Sequence, residues 1–157
     1  MNKQRRLMIK GTLATAALGT AVAAGLITPS RVLAASNLKP AFEAKSVDAV
    51  LTSLFPGQKL QDSASINIKA PDIAENGAVV PVTVSSDMKN IDSISIIVAE
   101  NGTPLVASFD LPKDADAFVS TRIKMGKTSE VVAIAKSGDT LYRASKEVKV
   151  TIGGCGG

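Results

Sequence analysis

Histidine is missing from this sequence altogether. Without imidazole no Ser-His-Asp or Cys-His catalytic set can be assembled, nor any metal site built on that ligand. Tryptophan is absent too, tyrosine occurs once and phenylalanine four times. So few rings give no platform on which nucleic-acid bases could stack. Cysteine occurs once, as Cys155. An internal disulfide is therefore excluded, and in an oxidising compartment the thiol either pairs with another molecule or stays free.

Basic charge is also scarce where it would matter. The formal net charge is +4, but Lys3, Arg5, Arg6, Lys10 and Arg31 fall within residues 1–34, which carry no acidic residue. Setting those five aside leaves 13 basic against 14 acidic groups, a balance near −1. The electrostatic footprint of a nucleic-acid binder is lost with them.

Residues 1–34 read as an export signal to be set aside before the fold is considered. Arg5-Arg6-Leu7-Met8-Ile9-Lys10 is similar to a twin-arginine pattern, with Met8 where Phe is more usual and Gln4 where Ser or Thr is. The uncharged stretch Gly11–Thr28 is rich in Ala, Gly and Thr, and Val32-Leu33-Ala34 offers a cleavage site. That stretch has about the minimum length for a membrane span but little Leu, Ile or Phe, which favours a cleaved twin-arginine signal over an anchor. The expected location is the periplasm.

Residues 35–152 suit one domain with a modest core. Pro40 stands near a helix start, and Ala44, Val47, Leu51 and Leu54, with Val50 beside them, recur at helical spacing. One amphipathic helix is expected over 41–55, ended by Pro56-Gly57 and packed on the domain. After Gln58 the period falls to two. Ile66 and Ile68, then Val80, Val82 and Val84, then Ile94, Ile96 and Val98 alternate with other residues. Pro81 belongs at an edge or a strand start. Asn101-Gly102 is a hairpin signal, with Leu105–Asp110 as its return arm. Val119, Thr121 and Ile123, then Val132 and Ile134, continue the series. Ser137-Gly138-Asp139 turns the chain toward Leu141-Tyr142-Arg143, and Val148, Val150 and Ile152 close it. Seven to eight short strands predict an immunoglobulin-like antiparallel β-sandwich preceded by one N-terminal helix. Runs that are only half apolar predict two sheets with one wet face each.

The last strand leads into Gly153-Gly154-Cys155-Gly156-Gly157. A lone thiol is usually a small core hydrophobe, yet here it lies among four glycines, which have no Cβ to restrict the backbone. From Ile152 the cysteine can extend roughly 10 Å, at about 3.3–3.6 Å per residue. The pattern reads as a flexible arm presenting sulfur to other molecules. Lys149 is the nearest charged residue in sequence, so nothing local favours the thiolate, and an unassisted thiol is a poor catalyst. A carrier activated by partner enzymes fits better than an enzyme. Two rivals stay open. One is a structural module whose terminal cysteine forms an intermolecular disulfide. The other is a diglycine carrier modified at the Gly157 carboxylate, which would need cytoplasmic ATP. A prenylation box puts Cys fourth from the end, not third, and a phosphate loop needs a following helix.

Other polar clusters are weaker. Asp72, Glu75 and Asn76 read as a polar turn rather than a catalytic carboxylate pair, with Gly77 supplying a positive φ. Arg122, Lys124 and Lys127 form a small basic cluster, read as a solvated strand face.

The export pattern, the helix, the run Ala70-Pro71-Asp72-Ile73-Ala74-Glu75-Asn76-Gly77-Ala78-Val79-Val80-Pro81-Val82, Thr121-Arg122-Ile123-Lys124-Met125 and the terminal Val150–Gly157 resemble SoxY. This is the sulfur-carrier family of bacterial thiosulfate oxidation. The resemblance implies an immunoglobulin-like subunit that pairs with SoxZ. It also implies that the thiol at Cys155 is loaded with thiosulfate by a c-type haem enzyme, while Gly153, Gly154, Gly156 and Gly157 let the arm enter several active sites. A dimanganese hydrolase then releases sulfate, and in some organisms a molybdenum sulfane dehydrogenase oxidises the remaining sulfur. Haem, manganese and molybdenum belong to those partners; the carrier itself is expected to hold no cofactor.

Overall fold

The computed structural model describes residues 38–151. The export signal, the Ser36-Asn37 start, Ile152 (expected to close the last strand) and the Gly153–Gly157 segment lie outside the described residues.

Two helices open the described chain where the periodicity predicts one. α1 spans Lys39–Glu43 and α2 spans Val47–Leu54. Between them Ala44 is extended, and Ser46 caps α2 by accepting from the Ala49 amide at 3.2 Å. An N-cap serine with Asp48 in the first turn is a fresh helix start, and that overrides a pattern which would otherwise run straight through. Pro40 sits in the first turn of α1, where its missing N–H costs nothing. Gly57, at φ +74, follows the end of α2.

Nine strands follow among the described residues: β1 (Lys59–Asp62), β2 (Ile66–Lys69), β3 (Ile73–Ala74), β4 (Val80–Ser86), β5 (Ser93–Val98), β6 (Leu105–Asp110), β7 (Ala117–Ile123), β8 (Ser129–Ser137) and β9 (Thr140–Val150). They make a sandwich. One sheet runs β1-β9-β8-β5-β6, with β3 added to β9, and the other runs β2-β4-β7. In immunoglobulin terms β2, β4 and β7 take the places of A, B and E, while β5, β8 and β9 take those of C, F and G. Leu141-Tyr142-Arg143 and Val148-Val150 belong to one long strand, β9, rather than to separate ones. β1 and β3 were not expected, and both pair with β9 in parallel.

Val80, Val82 and Val84, with Val119 and Ile123 beside them in the small sheet, face Ile94, Ile96 and Val98 across the core between the sheets, as alternation requires. The other face of the larger sheet is not wet. Ile97, Val132, Ile134 and Leu141 are covered there by Ala41, Val50 and Phe55. The layers are therefore helix, sheet, sheet. β5 is buried at every position, and Ser95 meets its polar need by pairing with Ser108 at 3.0 Å. The outer face of the small sheet does stay exposed, with Phe118 58% accessible.

Pro81 is at the start of its strand. β2 pairs β4 only from Thr83 to Ser86, so the proline lies beyond the ladder that would need its N–H. Gly138, at φ +57, occupies the first turn position of a two-residue hairpin joining β8 to β9. The β5–β6 hairpin exists, but not as a tight Asn-Gly turn. Neither Asn101 nor Gly102 has positive φ, and the connection is the longer 99–104 loop. The Asn101 side chain instead donates to the Lys124 carbonyl at 2.7 Å and accepts from the Gly126 amide at 3.1 Å.

Candidate functional site: the pole where the chain leaves the sandwich

β9 ends beside the starts of β4 and β8 and the end of β7, so one pole of the sandwich carries the root of the terminal segment. That root is held on both sides. The Lys149 amide donates to the Asp72 carbonyl at 2.9 Å and the Thr151 amide to the Ala74 carbonyl at 3.1 Å. Between them the Val150 amide donates to Thr128 Oγ1 at 3.0 Å. Every backbone N–H from Lys149 to Thr151 is thus occupied, which fixes the last described residues of the strand in place.

The polar run 70–77 earns its place through this docking. Lys146 Nζ reaches the Ala70 carbonyl at 2.7 Å and Asp72 Oδ1 at 3.0 Å. Asn76 Oδ1 accepts from the Ala78 amide at 2.9 Å, closing an Asx turn. Asp72, Glu75 and Asn76 are exposed and make no paired-carboxylate site. Gly77 does not adopt positive φ. Its reason is space: a Cβ there would collide with the Met125 carbonyl oxygen and come within 2.8 Å of Val150 Cγ1. The Met125 amide also donates to the Gly77 carbonyl at 2.7 Å.

The basic cluster splits up. Arg122 lies on the outer face of β7, while Lys124 and Lys127 fall beyond the strand in the 124–128 loop. Lys127 pairs with Glu100 at 2.9 Å, and that hydrogen-bonded ammonium holds the Glu100 carboxyl below its usual range. At the far end of β9, Arg143 hydrogen-bonds Asp62 at 2.7 Å, lowering the Asp62 pKa and raising its own. Ile73 and Val79 stand 57% and 51% exposed beside the root. Among the described residues no group of three acidic, histidine or cysteine side chains could hold a metal, and no helix is long and apolar enough to cross a membrane.

Residues 51–155 match the family model described as sulfur oxidation protein SoxY. A solved structure of the sulfur carrier protein SoxY from Chlorobium limicola f thiosulfatophilum is 45% identical, covering 68% of this chain and 97% of that one, with a TM-score of 0.63. The chain belongs to the SoxY family. An engineered protein at 22% identity, covering 55% of this chain and 20% of that one, has a TM-score of only 0.40 and carries no argument. No curated protein matches the sequence.

The SoxY match ends on Cys155, the single cysteine. Cys155 and its flanking Gly153, Gly154, Gly156 and Gly157 lie outside the described residues, which end at Thr151. Sequence reasoning missed the steric role of Gly77. Its only signal was a glycine within a polar turn, which fits a positive φ equally well.

Proposed function

We propose that this SoxY protein is the covalent sulfur carrier of periplasmic thiosulfate oxidation, with Cys155 as the attachment point and no catalysis of its own. The observation that carries the reading is a family match extending to the only thiol in the chain. The described pole supports it: a strand end pinned by three amides is a fixed base, and the sequence beyond it carries four glycines, residues without a Cβ.

The chemistry follows from a thiol that needs help. The Cys155 thiol and thiosulfate join through a new S–S bond to give Cys155–S–S–SO3−, releasing one proton and two electrons to a c-type haem partner. Water then cleaves the terminal S–S bond in a dimanganese hydrolase, leaving Cys155–S–SH and sulfate. A sulfane dehydrogenase, where present, oxidises the remaining sulfur. Export by the twin-arginine route and pairing with SoxZ belong to the same proposal. The chain's own contribution is to hold the sulfur covalently, keep the root rigid and present the adduct to each active site.

The test is the mass of the C-terminal peptide from periplasmic protein of cells oxidising thiosulfate, recorded before and after reduction. A reducible sulfur adduct on Cys155 is expected. A bare thiol, a disulfide between chains alone, or modification at the Gly157 carboxylate during active turnover would overturn the reading.

A further inference from the structure

The described chain holds two Asn-Gly pairs, Asn76-Gly77 and Asn101-Gly102. Asparagine is a thermolabile residue, and a following glycine has no Cβ to keep the side-chain amide off the next backbone nitrogen. The fold treats the two pairs differently. Asn101 is held at both ends of its amide: Nδ2 donates to the Lys124 carbonyl at 2.7 Å, and Oδ1 accepts from the Gly126 amide at 3.1 Å. Those partners belong to another loop, so the side chain must release both before its Cγ can turn to the Gly102 nitrogen.

Asn76 is exposed, and its side-chain bond stays within its own turn. Oδ1 accepts from the Ala78 amide at 2.9 Å, while Nδ2 bonds nothing among the described residues. The Gly77 amide also donates to nothing among the described residues, although its surroundings are firmly tied. The Val79 amide donates to the Asn76 carbonyl at 3.2 Å, and the Met125 amide to the Gly77 carbonyl at 2.7 Å. A backbone nitrogen with no hydrogen-bond duty thus sits in a held residue, next to a side-chain amide whose leaving nitrogen is free. The carbonyl between them already receives a backbone N–H, the kind of donor that stabilises a developing oxyanion.

We propose that Asn76 is a self-modification site, at which the folded chain deamidates with water as the only co-reactant, while Asn101 is protected. The Gly77 nitrogen, its proton lost to hydroxide, bonds to Asn76 Cγ. The Cγ–Nδ2 bond breaks, and Nδ2 leaves as ammonia with a proton from water, which restores the hydroxide. Nothing is oxidised or reduced. Water then opens the resulting succinimide. Cleavage at Cγ returns the normal main chain with an aspartyl side chain, whereas cleavage at the α-carbonyl gives an isoaspartyl linkage that runs through Cβ and Cγ. The isoaspartyl route lengthens the main chain and turns the carbonyl that receives Val79 into a side carboxylate. Gly77 has no room to absorb the change, since even a Cβ there would collide with the Met125 carbonyl oxygen and approach Val150 Cγ1 to 2.8 Å. The isoaspartyl form therefore loosens the Met125–Gly77 bond, and the aspartyl form keeps it.

The full mature chain is incubated folded, sampled over time and digested with trypsin, which puts the two pairs on separate peptides, Ala70–Lys89 and Asn90–Lys113. Exchange of NH for O raises the peptide mass, and fragmentation places the change. Asn76 is expected to convert at roughly ten times the rate of Asn101, equivalent to about 1.4 kcal/mol of barrier. In urea, where neither side chain keeps its bonds, the two rates should draw together. Equal rates in the folded protein, faster conversion at Asn101, or a difference that survives unfolding would overturn the assignment. The isoaspartyl fraction, separated by chromatography, is then compared by hydrogen exchange with Asn76→Asp, which carries the same charge on a normal main chain. The Met125 amide should exchange several-fold faster in the isoaspartyl form; equal protection would overturn the loosening.

Discussion

Replacing Gly77 by alanine adds one methyl group and puts it where none fits. The new Cβ meets the Met125 carbonyl oxygen in hard contact and Val150 Cγ1 at 2.8 Å. The carbonyl cannot easily retreat, since the Met125 amide is bonded to Gly77 and the next amide, Gly126, to Asn101. Two responses are open. The structure can absorb the overpacking, at about 1–3 kcal/mol. Alternatively the 72–77 segment can lift off β9. That sacrifices the Met125–Gly77, Lys149–Asp72 and Thr151–Ala74 backbone bonds, worth about 0.5–1.5 kcal/mol each, or about 1.5–4.5 kcal/mol together. The cheaper response governs, so the expected loss is about 1–3 kcal/mol, or a fall in Tm of about 5–15 °C for a domain of this size. Urea and thermal unfolding followed by circular dichroism measure it. Hydrogen exchange at the Lys149 and Thr151 amides separates the two responses, because only lift-off exposes them. Gly102→Ala is the control: a Cβ there meets nothing within 4 Å, and its stability should stay within about 0.5 kcal/mol of the parent. A Gly77→Ala protein as stable as that control would refute the steric argument.

Cys155→Ser should fold normally and never acquire a sulfur adduct; loading at any other residue, seen by peptide mass, would sink the attachment assignment. Gly154→Trp should slow turnover with partner enzymes far more than it lowers Tm, and undiminished turnover would remove the case that the glycines let the segment enter their active sites. Asn101→Ala removes two bonds between exposed loops and should cost about 1 kcal/mol, read as a shift of the urea midpoint. Asp62 is held below its usual pKa by Arg143, so its contribution is present above the unfolded carboxyl pKa and disappears as pH falls through the folded value. The urea midpoints of Asp62→Asn and the parent should therefore differ at neutral pH and converge in strong acid; a gap that persists there would contradict the pairing.

Much of the sandwich was legible because its interior strands obey a period of two. Val80-Val82-Val84 and Ile94-Ile96-Val98 do point into the inter-sheet core. What escaped has physical reasons. β1, Lys-Leu-Gln-Asp, carries one apolar residue and is a strand only because β9 lies alongside it. β9 itself is interrupted in pattern by Ser145, Lys146 and Glu147, and β8 holds them in line from across the ladder. Alternation says which residues share a face but not what covers it, so Val132 and Ile134 gave no hint that Ala41, Val50 and Phe55 lie above them. In the terminal segment, composition alone exposed Cys155, since a single thiol among glycines has no packing explanation.

The length of β9 has a mechanical consequence. A pull applied at Thr151 along the strand axis loads β9 from its end. Ladder bonds in an antiparallel pair lie across that axis, so a pull strains all nine residue pairs between β8 and β9 in shear at once. β1 and β3 add further pairs on the opposite side. A strand loaded this way cannot be peeled off pair by pair, as it could if pulled from the side. The sandwich is a stiff handle for whatever pulls on Thr151, because the whole ladder resists together.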